Sequence, residues 1–290
     1  MSLPELPEIK QLSPYVTRLL GANPGPFTLQ GTNTYLIGDP KTRERVLLDT
    51  GDAKHEYYQL LKGFVESNDL IVTTVMITHS HHDHILGVPD VHKLFPLAKF
   101  LKYTMAPSFE YDEIDKSMFT HWGDSEVIEA AGLHFVAYYT PGHCDDHLCI
   151  WLEEEGALFS GDNLLGHGST VFNHYGNYMQ SLIRMRDLPH LSVVYPGHGD
   201  IIEDGVLAFN MYLEHRRQRE YEILKILQAT TGELTTDEIV SRIYDAIESR
   251  PDRIRRAAAN NTKQYLEKLR GDKKVAGDGD IWRCEPSNRL

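Results

Sequence analysis

The sequence is poor in cysteine and has no long hydrophobic run. Its three cysteines, Cys144, Cys149 and Cys284, are too few for a disulfide framework, and this favours a reducing compartment. Because no apolar run reaches about 18 residues, we expect no membrane-spanning helix. The segment Met1–Tyr15 has three prolines, two glutamates and no arginine, and is typical neither of a secretory signal nor of an arginine-rich transit peptide. The expectation is an intracellular protein with no membrane partner.

Positive charge is also scarce. The 29 Lys+Arg are outnumbered by 42 Asp+Glu, giving a formal net charge of −13. Residues 207–290 carry 16 of the basic and 14 of the acidic residues, so most of the negative charge lies in the first 206. This balance argues against a protein that coats nucleic acid nonspecifically, although it allows a locally basic groove. Bound divalent cations would offset part of the excess negative charge.

The length allows one large domain, or one of about 200 residues followed by a small second one. A long predicted helix that begins after Gly205 favours the second arrangement, with one domain over 1–205 and another over 206–290. Periodicity, capping signals and helix breakers predict three helices and a hairpin in the tail: Val206–Gln228, Ile239–Ile247, Asp252–Leu269 and Lys274–Arg283.

A cluster of metal-binding side chains follows one predicted strand. Residues 71–77 are rich in β-branched and apolar side chains and predict a buried strand. His79, His81, Asp83 and His84 come directly after it, where a rigid sheet can hold ligands at an open edge. Imidazole nitrogen and carboxylate oxygen suit Zn²⁺, and also manganese or iron.

Three later strand ends carry one candidate ligand each. His143, Asp162 and His198 come at or near the ends of predicted strands, and a glycine precedes each of them. Glycine permits the positive-φ backbone that close packing around such a site requires. With the cluster they give seven candidate ligands, a number that suits two metal ions sharing one bridging carboxylate.

The motif His79-x-His81-x-Asp83-His84, with the three later residues in order, resembles the metallo-β-lactamase superfamily over roughly residues 15–205. The resemblance implies an α+β fold, an αββα sandwich of two mixed sheets with helices outside and the site along one sheet edge. It also implies how the ligands are shared: one metal is bound by His79, His81 and His143, a second by Asp83, His84 and His198, and Asp162 bridges both. Aspartate at the bridging position is typical of the hydrolase branches of the superfamily.

Two stretches narrow the resemblance to the endoribonuclease β-lactamase-like protein 2 group. They are Thr28–Tyr35 and Thr140–His147, and the predicted tail looks like the winged-helix module of that group. This implies a binuclear, Zn²⁺-dependent endoribonuclease that cleaves single-stranded RNA, in the mitochondrial matrix or otherwise in the cytoplasm. Fungal polyketide thioesterases share the Gly-Thr-Asn-Thr-Tyr stretch, and glyoxalase II thioesterases share the metal set. Hydrolysis of an acyl thioester is therefore the alternative.

Four residues have candidate roles beside the metals. Two ions lower the pKa of a bridging water and supply hydroxide, whose proton Asp83 is a candidate to receive. His147 either donates a proton to the leaving group or braces a ligand, and Asn33 either contacts substrate or holds a loop. Asp49, at the end of another strand, is expected to accept a hydrogen bond from a metal-bound histidine, unless it caps the helix that follows.

The third tail helix is rich in basic residues. Among them, Arg253, Arg255 and Arg256 are candidates for contacting RNA phosphates. The alternative is a solvated surface on a helix that packs against the main domain and shapes the substrate cleft. Three further histidines have no assigned role, and surface or lid positions are expected for them: His121, His167 and His174.

Overall fold

The first β-sheet contains seven strands that lie side by side in chain order. The computed structural model describes residues 3–106, 111–244 and 246–288, and within these ranges the strands of this sheet are β1 (Ile9–Gln11), β2 (Val16–Leu20), β3 (Asn33–Ile37), β4 (Glu44–Leu48), β5 (Ile71–Met76), β6 (Lys99–Lys102) and β7 (Phe119–His121). Strands β1 to β4 pair antiparallel, and β4 to β7 pair parallel.

The second β-sheet is also mixed. Its strands are β8 (Val127–Ala130), β9 (Leu133–Tyr139), β10 (Leu148–Leu152), β11 (Ala157–Gly161) and β12 (Val193–Pro196), in the spatial order β12-β11-β10-β9-β8. Only the β11–β12 pair is parallel among the pairs described in this sheet. The Pro-Gly-His and Gly-Asp turns lie at the ends of β9, β11 and β12.

The two sheets pack face to face, and α-helices cover their outer faces. Side chains alternate along β3, so Tyr35 and Ile37 enter the core between the sheets whereas Leu36 packs under the outer helices. The described α-helices are α1 (His55–Ser67), α2 (His82–Ile85), α3 (Val88–Leu94), α4 (Tyr175–Arg186), α5 (Gly205–Gln228), α6 (Thr236–Ile243) and α7 (Asp252–Gly271). Helices α1 and α3 cover the first sheet and α4 covers the second, which confirms the αββα sandwich.

The tail forms a winged-helix module on the side of the second sheet. Helix α6 starts with a capping box between Thr235 and Glu238, as the sequence signal predicts. A small sheet completes the module, with strands in the order β13 (Leu234–Thr235), β15 (Ile281–Cys284) and β14 (Val275–Asp278). Helices α5 and α7 share one hydrophobic core with α4 and with Trp151 and Leu158 of the second sheet. The boundary between residues 205 and 206 stays a prediction.

Several elements differ from the sequence-based expectation. Helix α6 ends at Ile243 instead of Ile247, because Tyr244 already has an extended backbone. Helix α4 was not predicted, and no side chain caps its start. Strand β10 was also missed, since its five residues are all buried and show no alternation. Across the described ranges, no helix combines the length and hydropathy needed to span a bilayer.

Replacing Trp282 with alanine should strongly destabilise the winged-helix module. Trp282 is fully buried on β15, and its indole N–H donates to Thr236 Oγ1 at 3.1 Å. Removing a buried Trp side chain costs about 3–5 kcal/mol, and here it also removes the partner of a buried hydroxyl. Ile281→Ala is the matched control, because Ile281 is 48% exposed on the same strand and its loss should cost no more than about 0.5 kcal/mol. Equal shifts in a urea titration of the two variants would contradict this account of the module.

Candidate metal centre

The first group of candidate ligands converges from three loops. His79 and His81 follow β5, His143 follows β9, and Asp162 follows β11. One donor atom from each lies within 4.8 Å of the others. The His81 Nδ1 atom is 3.0 Å from His79 Nε2 and 2.9 Å from His143 Nε2, and Asp162 Oδ2 lies 3.7 Å from His143 Nε2.

The second group lies on the other side of Asp162. Asp83 and His84 belong to the short helix α2, and His198 follows β12. His198 Nε2 is 3.1 Å from Asp83 Oδ2 and 3.3 Å from His84 Nε2. The Oδ1 atom of Asp162 is 3.5 Å from His84 Nε2 and 3.4 Å from His198 Nε2. Each carboxylate oxygen of Asp162 therefore faces one group.

The chemistry of these residues fits divalent cations. Asp162 Oδ1 is buried and accepts no hydrogen bond within the described part of the chain. A buried, unpaired carboxylate oxygen is costly unless a cation or a donor satisfies it. Burial lowers the pKa of His79 and His143, and lowers that of His81 to about 4, so these three imidazoles are in the neutral form that binds metals.

The second group is more strongly influenced by negative charge. Burial disfavours the charged form of His84 and His198, but nearby carboxylates outweigh it: they raise the pKa of His84 and raise that of His198 to about 9. Burial raises the pKa of Asp83 and Asp162, but the neighbouring histidines outweigh this effect and hold the pKa of both carboxyls below the usual range. The carboxylates thus favour positive charge on their histidine neighbours, and bound cations would supply the same positive charge.

Outer contacts orient two of the candidate ligands. Asp49 Oδ2 lies 2.7 Å from His84 Nδ1, and Asp49 also accepts hydrogen bonds from the Thr78 N–H and hydroxyl, both at 2.8 Å. The ring of His84 therefore presents Nε2 to the site. This confirms the contact expected for Asp49, whereas its alternative as a helix cap is wrong, because Lys54 occupies the N-cap position of α1. His143 donates from Nδ1 to the Val171 carbonyl oxygen at 2.7 Å.

Comparisons with known proteins identify the family of this chain. Residues 27–198 match the family model of the metallo-beta-lactamase superfamily, and residues 235–282 match that of the beta-lactamase associated winged helix domain. The chain belongs to the metallo-beta-lactamase superfamily. As a member of it, this chain is a hydrolase with a winged-helix domain, and its histidines and aspartates point to divalent metal.

Curated relatives cover nearly the whole length of this superfamily member. The lactamase-like protein adaB of Aspergillus niger is 39% identical over 99% of this chain and 89% of its own length. The beta-lactamase-like protein 2 homolog of Caenorhabditis elegans is 39% identical over 92% and 88%, respectively. An atrochrysone carboxyl ACP thioesterase of Claviceps purpurea is 37% identical over 95% and 86%.

A solved structure has the same fold. The metallo-beta-lactamase family protein from Thermus thermophilus covers 95% of this chain and 100% of its own, with a TM-score of 0.75 and 24% identity.

Glycines let the ligand loops of this superfamily member approach closely. Gly142, before His143, has φ +131°, and a Cβ there would lie 2.3 Å from the backbone nitrogen of Tyr178. At Gly197, before His198, a Cβ would lie 2.4 Å from Asp162 Oδ1. Both distances are far below contact, so the Pro-Gly-His turns need glycine for space and, at Gly142, also for backbone conformation.

His147 lies in the interior next to the candidate ligands. It is fully buried, and its Nε2 accepts a hydrogen bond from the backbone N–H of Asp162 at 3.2 Å. Burial holds its pKa well below the usual value, so the ring is neutral, and Nδ1 lies 2.9 Å from the Thr140 hydroxyl. The arrangement matches the bracing alternative of the two roles predicted for His147.

Asn33 lies in the interior and contacts the loop that follows β12. Asn33 is 1% exposed, and its Nδ2 donates to the carbonyl oxygens of Pro196 and Gly199, both at 2.8 Å. Its backbone N–H also donates to Gly197 O at 2.8 Å. Asn33 therefore holds the loop that carries His198, which is the second alternative from the sequence.

The remaining predicted residues lie on the surface. Arg253, Arg255 and Arg256 are exposed in the first two turns of α7 and belong to neither ligand group. Arg255 forms an ion pair with Asp252. The unassigned histidines are also exposed: His121, His167 and His174.

A buried network beside the ligands escaped the sequence reading. Lys102, 1% exposed at the end of β6, forms an ion pair with Asp146, which also accepts hydrogen bonds from Ser80 and from Cys144 Sγ. Burial opposes ionisation, but Lys102 and these donors outweigh it and hold the pKa of Asp146 below the usual value. The network joins the His79–His81 loop to the loop after His143. Nothing in the local sequence marks Lys102, because its partner is 44 residues away.

Replacing Lys102 with methionine should destabilise the protein by about 3–5 kcal/mol, because it leaves the Asp146 carboxylate buried without its counter-charge. In the parent, the contribution of Asp146 is present above pH about 4 and is lost as the pH falls through its depressed pKa. Adding Asp146→Asn to Lys102→Met should restore part of the stability at pH 7, since the amide is neutral. Denaturant unfolding measures this, and a double variant less stable than Lys102→Met alone would contradict the ion-pair account.

Proposed function

We propose that this chain is a binuclear metal-dependent hydrolase, with Zn²⁺ as the metal and single-stranded RNA as the substrate. The observation that carries the metal part is the position of Asp162, whose two oxygens face two separate ligand groups. In this proposal His79, His81 and His143 hold one ion, Asp83, His84 and His198 hold the other, and Asp162 contacts both. The same donors also suit manganese or iron.

The protein's own residues supply orientation and a proton acceptor. When bound, the ions supply Lewis acidity and lower the pKa of water at the site. Asp83 lies at the site with one oxygen 3.4 Å from the Thr32 hydroxyl, and in our proposal its carboxylate receives the proton that the attacking water loses. His147 acts as a positioning residue, because its Nε2 accepts the backbone N–H of Asp162. Asn33 is also a positioning residue, because its side-chain amide donates to two carbonyl oxygens of the His198 loop.

Features of the winged-helix module favour RNA as the substrate in this proposal. Its helix α7 begins with an exposed basic cluster, Arg253, Arg255 and Arg256, although the chain as a whole is acidic. Five residues further on, about 7.5 Å along the helix axis, Asn261 contacts the loop that holds His143. The basic cluster thus lies on a helix that contacts a loop beside the metal centre. Phosphates bound there would bring a single strand toward the site.

A second candidate reaction is hydrolysis of an acyl thioester. Two relatives that are 37% and 38% identical over 95% and 94% of this chain are named atrochrysone carboxyl ACP thioesterases. Bound metal ions would polarise a thioester carbonyl or a phosphoryl oxygen, so the same ligand set would suit either reaction. The two proposals differ in the charge of the substrate, which experiment can exploit.

Replacing Asp162 with alanine should abolish hydrolysis and lower the metal content from two ions to one or none, because it removes the contact common to both groups. Metal analysis of the dialysed protein and a hydrolysis assay measure these effects. Asp145→Ala is the matched control: Asp145 is an exposed aspartate two residues from His143, with His174 as its neighbour at 3.5 Å. A folded Asp162→Ala protein with two bound ions and the parent rate would refute the binuclear proposal.

Replacing Arg253, Arg255 and Arg256 together with alanine should weaken binding of single-stranded RNA and flatten its salt dependence. Each lost phosphate contact reduces the slope of log K against log salt by about 0.7. The control variant replaces three exposed cations outside the winged-helix module, Lys41, Arg43 and Lys93, and changes the net charge equally.

The parent and both variants are then assayed with labelled single-stranded RNA and with an acyl thioester. The RNA proposal predicts cleavage of RNA by the parent and a lower salt slope only for the α7 variant. Turnover of the thioester without RNA cleavage would favour the second candidate. Equal RNA affinity for the parent and the α7 variant would remove the basic cluster from substrate binding.

A further inference from the structure

One loop separates the winged-helix module from the metal centre. Its residues Thr170–Phe172 lie between His143 and helix α7. On the side of the metal centre, Val171 accepts the Nδ1 hydrogen bond of His143 at 2.7 Å, and the Thr170 hydroxyl lies 3.2 Å from the same nitrogen. A carbonyl oxygen can only accept, so this contact fixes the His143 tautomer and leaves the Nε2 lone pair directed at the ligand group.

The tail holds the same loop from the opposite side. Asn261 uses both ends of its amide: Oδ1 accepts from the Phe172 N–H at 3.1 Å, and Nδ2 donates to the Thr170 carbonyl at 3.2 Å. Asn260 Nδ2 donates to the Phe172 carbonyl at 2.9 Å, and Arg216 of α5 donates to the Thr170 carbonyl at 3.0 Å. Four hydrogen bonds from α5 and α7 therefore end on the backbone of two loop residues.

These contacts are buried, so the loop cannot exchange them freely for water. Asn261 is 7% exposed, and Thr170, Phe172 and Arg216 are buried as well. The Phe172 ring is stacked on Tyr178 with centroids 5.1 Å apart and meets Tyr265 of α7 edge-on at 5.5 Å. Because buried polar groups that lose their partners are costly, the loop backbone is held at one distance from α7.

We propose that Asn261 is a positioning residue for the metal centre, acting on His143 through the loop Thr170–Phe172. The winged-helix module thereby sets the position of the Val171 carbonyl and, through it, the affinity of the first ligand group for its ion. The inference rests on the metal-binding part of the proposed function, but not on the substrate. It gives the module a task inside the catalytic centre in addition to any contact with substrate.

Metal affinity, measured by competition between the protein and a chromophoric chelator for Zn²⁺, tests this inference without a substrate. Asn261→Ala should weaken one of the two binding steps by about tenfold, the lower end of the range for outer partners of metal-bound histidines. The other step should change by less than about twofold, because no described hydrogen bond of the loop reaches Asp83, His84 or His198.

Thr262→Val is the matched control. Thr262 is the next residue of α7, is fully buried, and its hydroxyl has no hydrogen-bond partner within the described residues. The substitution changes a neighbouring buried polar side chain that makes no described hydrogen bond to the loop, so both metal affinities should stay at the parent values. A loss equal to that of Asn261→Ala would show a general effect of core damage and overturn the proposal.

A double-mutant cycle tests whether Asn261 acts through His143. In a His143→Ala background the first group is already weakened, and adding Asn261→Ala should change the metal affinity no further. The same tenfold loss in both backgrounds, or no loss in either, would overturn the proposal. If Asn261→Ala does not fold, the half-buried Asn260→Ala, which removes one hydrogen bond to the loop, decides the question by the same measurement.

The outcome also separates this inference from the proposed function. A parent protein that binds no Zn²⁺ would refute the binuclear proposal itself. A parent that binds two ions with an affinity unaffected by Asn261→Ala would leave the binuclear centre in place and refute only the role of Asn261.

Discussion

The buried carboxylate of Asp162 lies between two groups of ligating side chains, and the geometry of the whole centre depends on it. Its Oδ2 faces the group that contains His143, and its Oδ1 faces His84 and His198. A carboxylate oxygen without hydrogen-bond donors is unfavourable in such a buried position unless positive charge balances it. The site is therefore organised for cations, and its loops must be held rigidly enough to keep the two groups apart.

That rigidity comes from a different partner for each loop. Asp49 orients His84, Asn33 holds the loop of His198, and His147 supports the backbone of Asp162. The Lys102–Asp146 pair joins the loops on either side of the first group. The Val171 carbonyl orients His143 and is itself held from the winged-helix module. Supports thus come from both sheets and from the tail, which shares one hydrophobic core with the second sheet.

The sequence predicts those parts of the structure in which the signal is local. The cluster His79–His84 and the glycine-flanked His143, Asp162 and His198 are recognisable because ligand and turn lie within a few residues. The same holds for the capping box at Thr235, which marks the start of α6. The resemblance to a known superfamily supplied the pairing of the two ligand groups, which spacing alone leaves open.

The parts that the sequence did not predict depend on partners far apart in the chain. In the sequence, Lys102 resembles an ordinary strand residue and Asn261 an ordinary polar helix residue. Their roles become visible only when the fold places Asp146 beside Lys102 and Phe172 beside Asn261. For Asn33 the sequence leaves a substrate contact and a loop contact open, and only the fold shows its double contact with the His198 loop. Each of these polar side chains is buried, and burial is a property of the fold that periodicity does not reveal.

Anomalous X-ray diffraction from crystals grown with Zn²⁺ tests the central claim most directly, because it locates ions independently of activity. The account predicts two peaks about 3.5–4 Å apart, one beside each ligand group and each in contact with one oxygen of Asp162. A single ion, or two ions of which neither contacts Asp162, would contradict it.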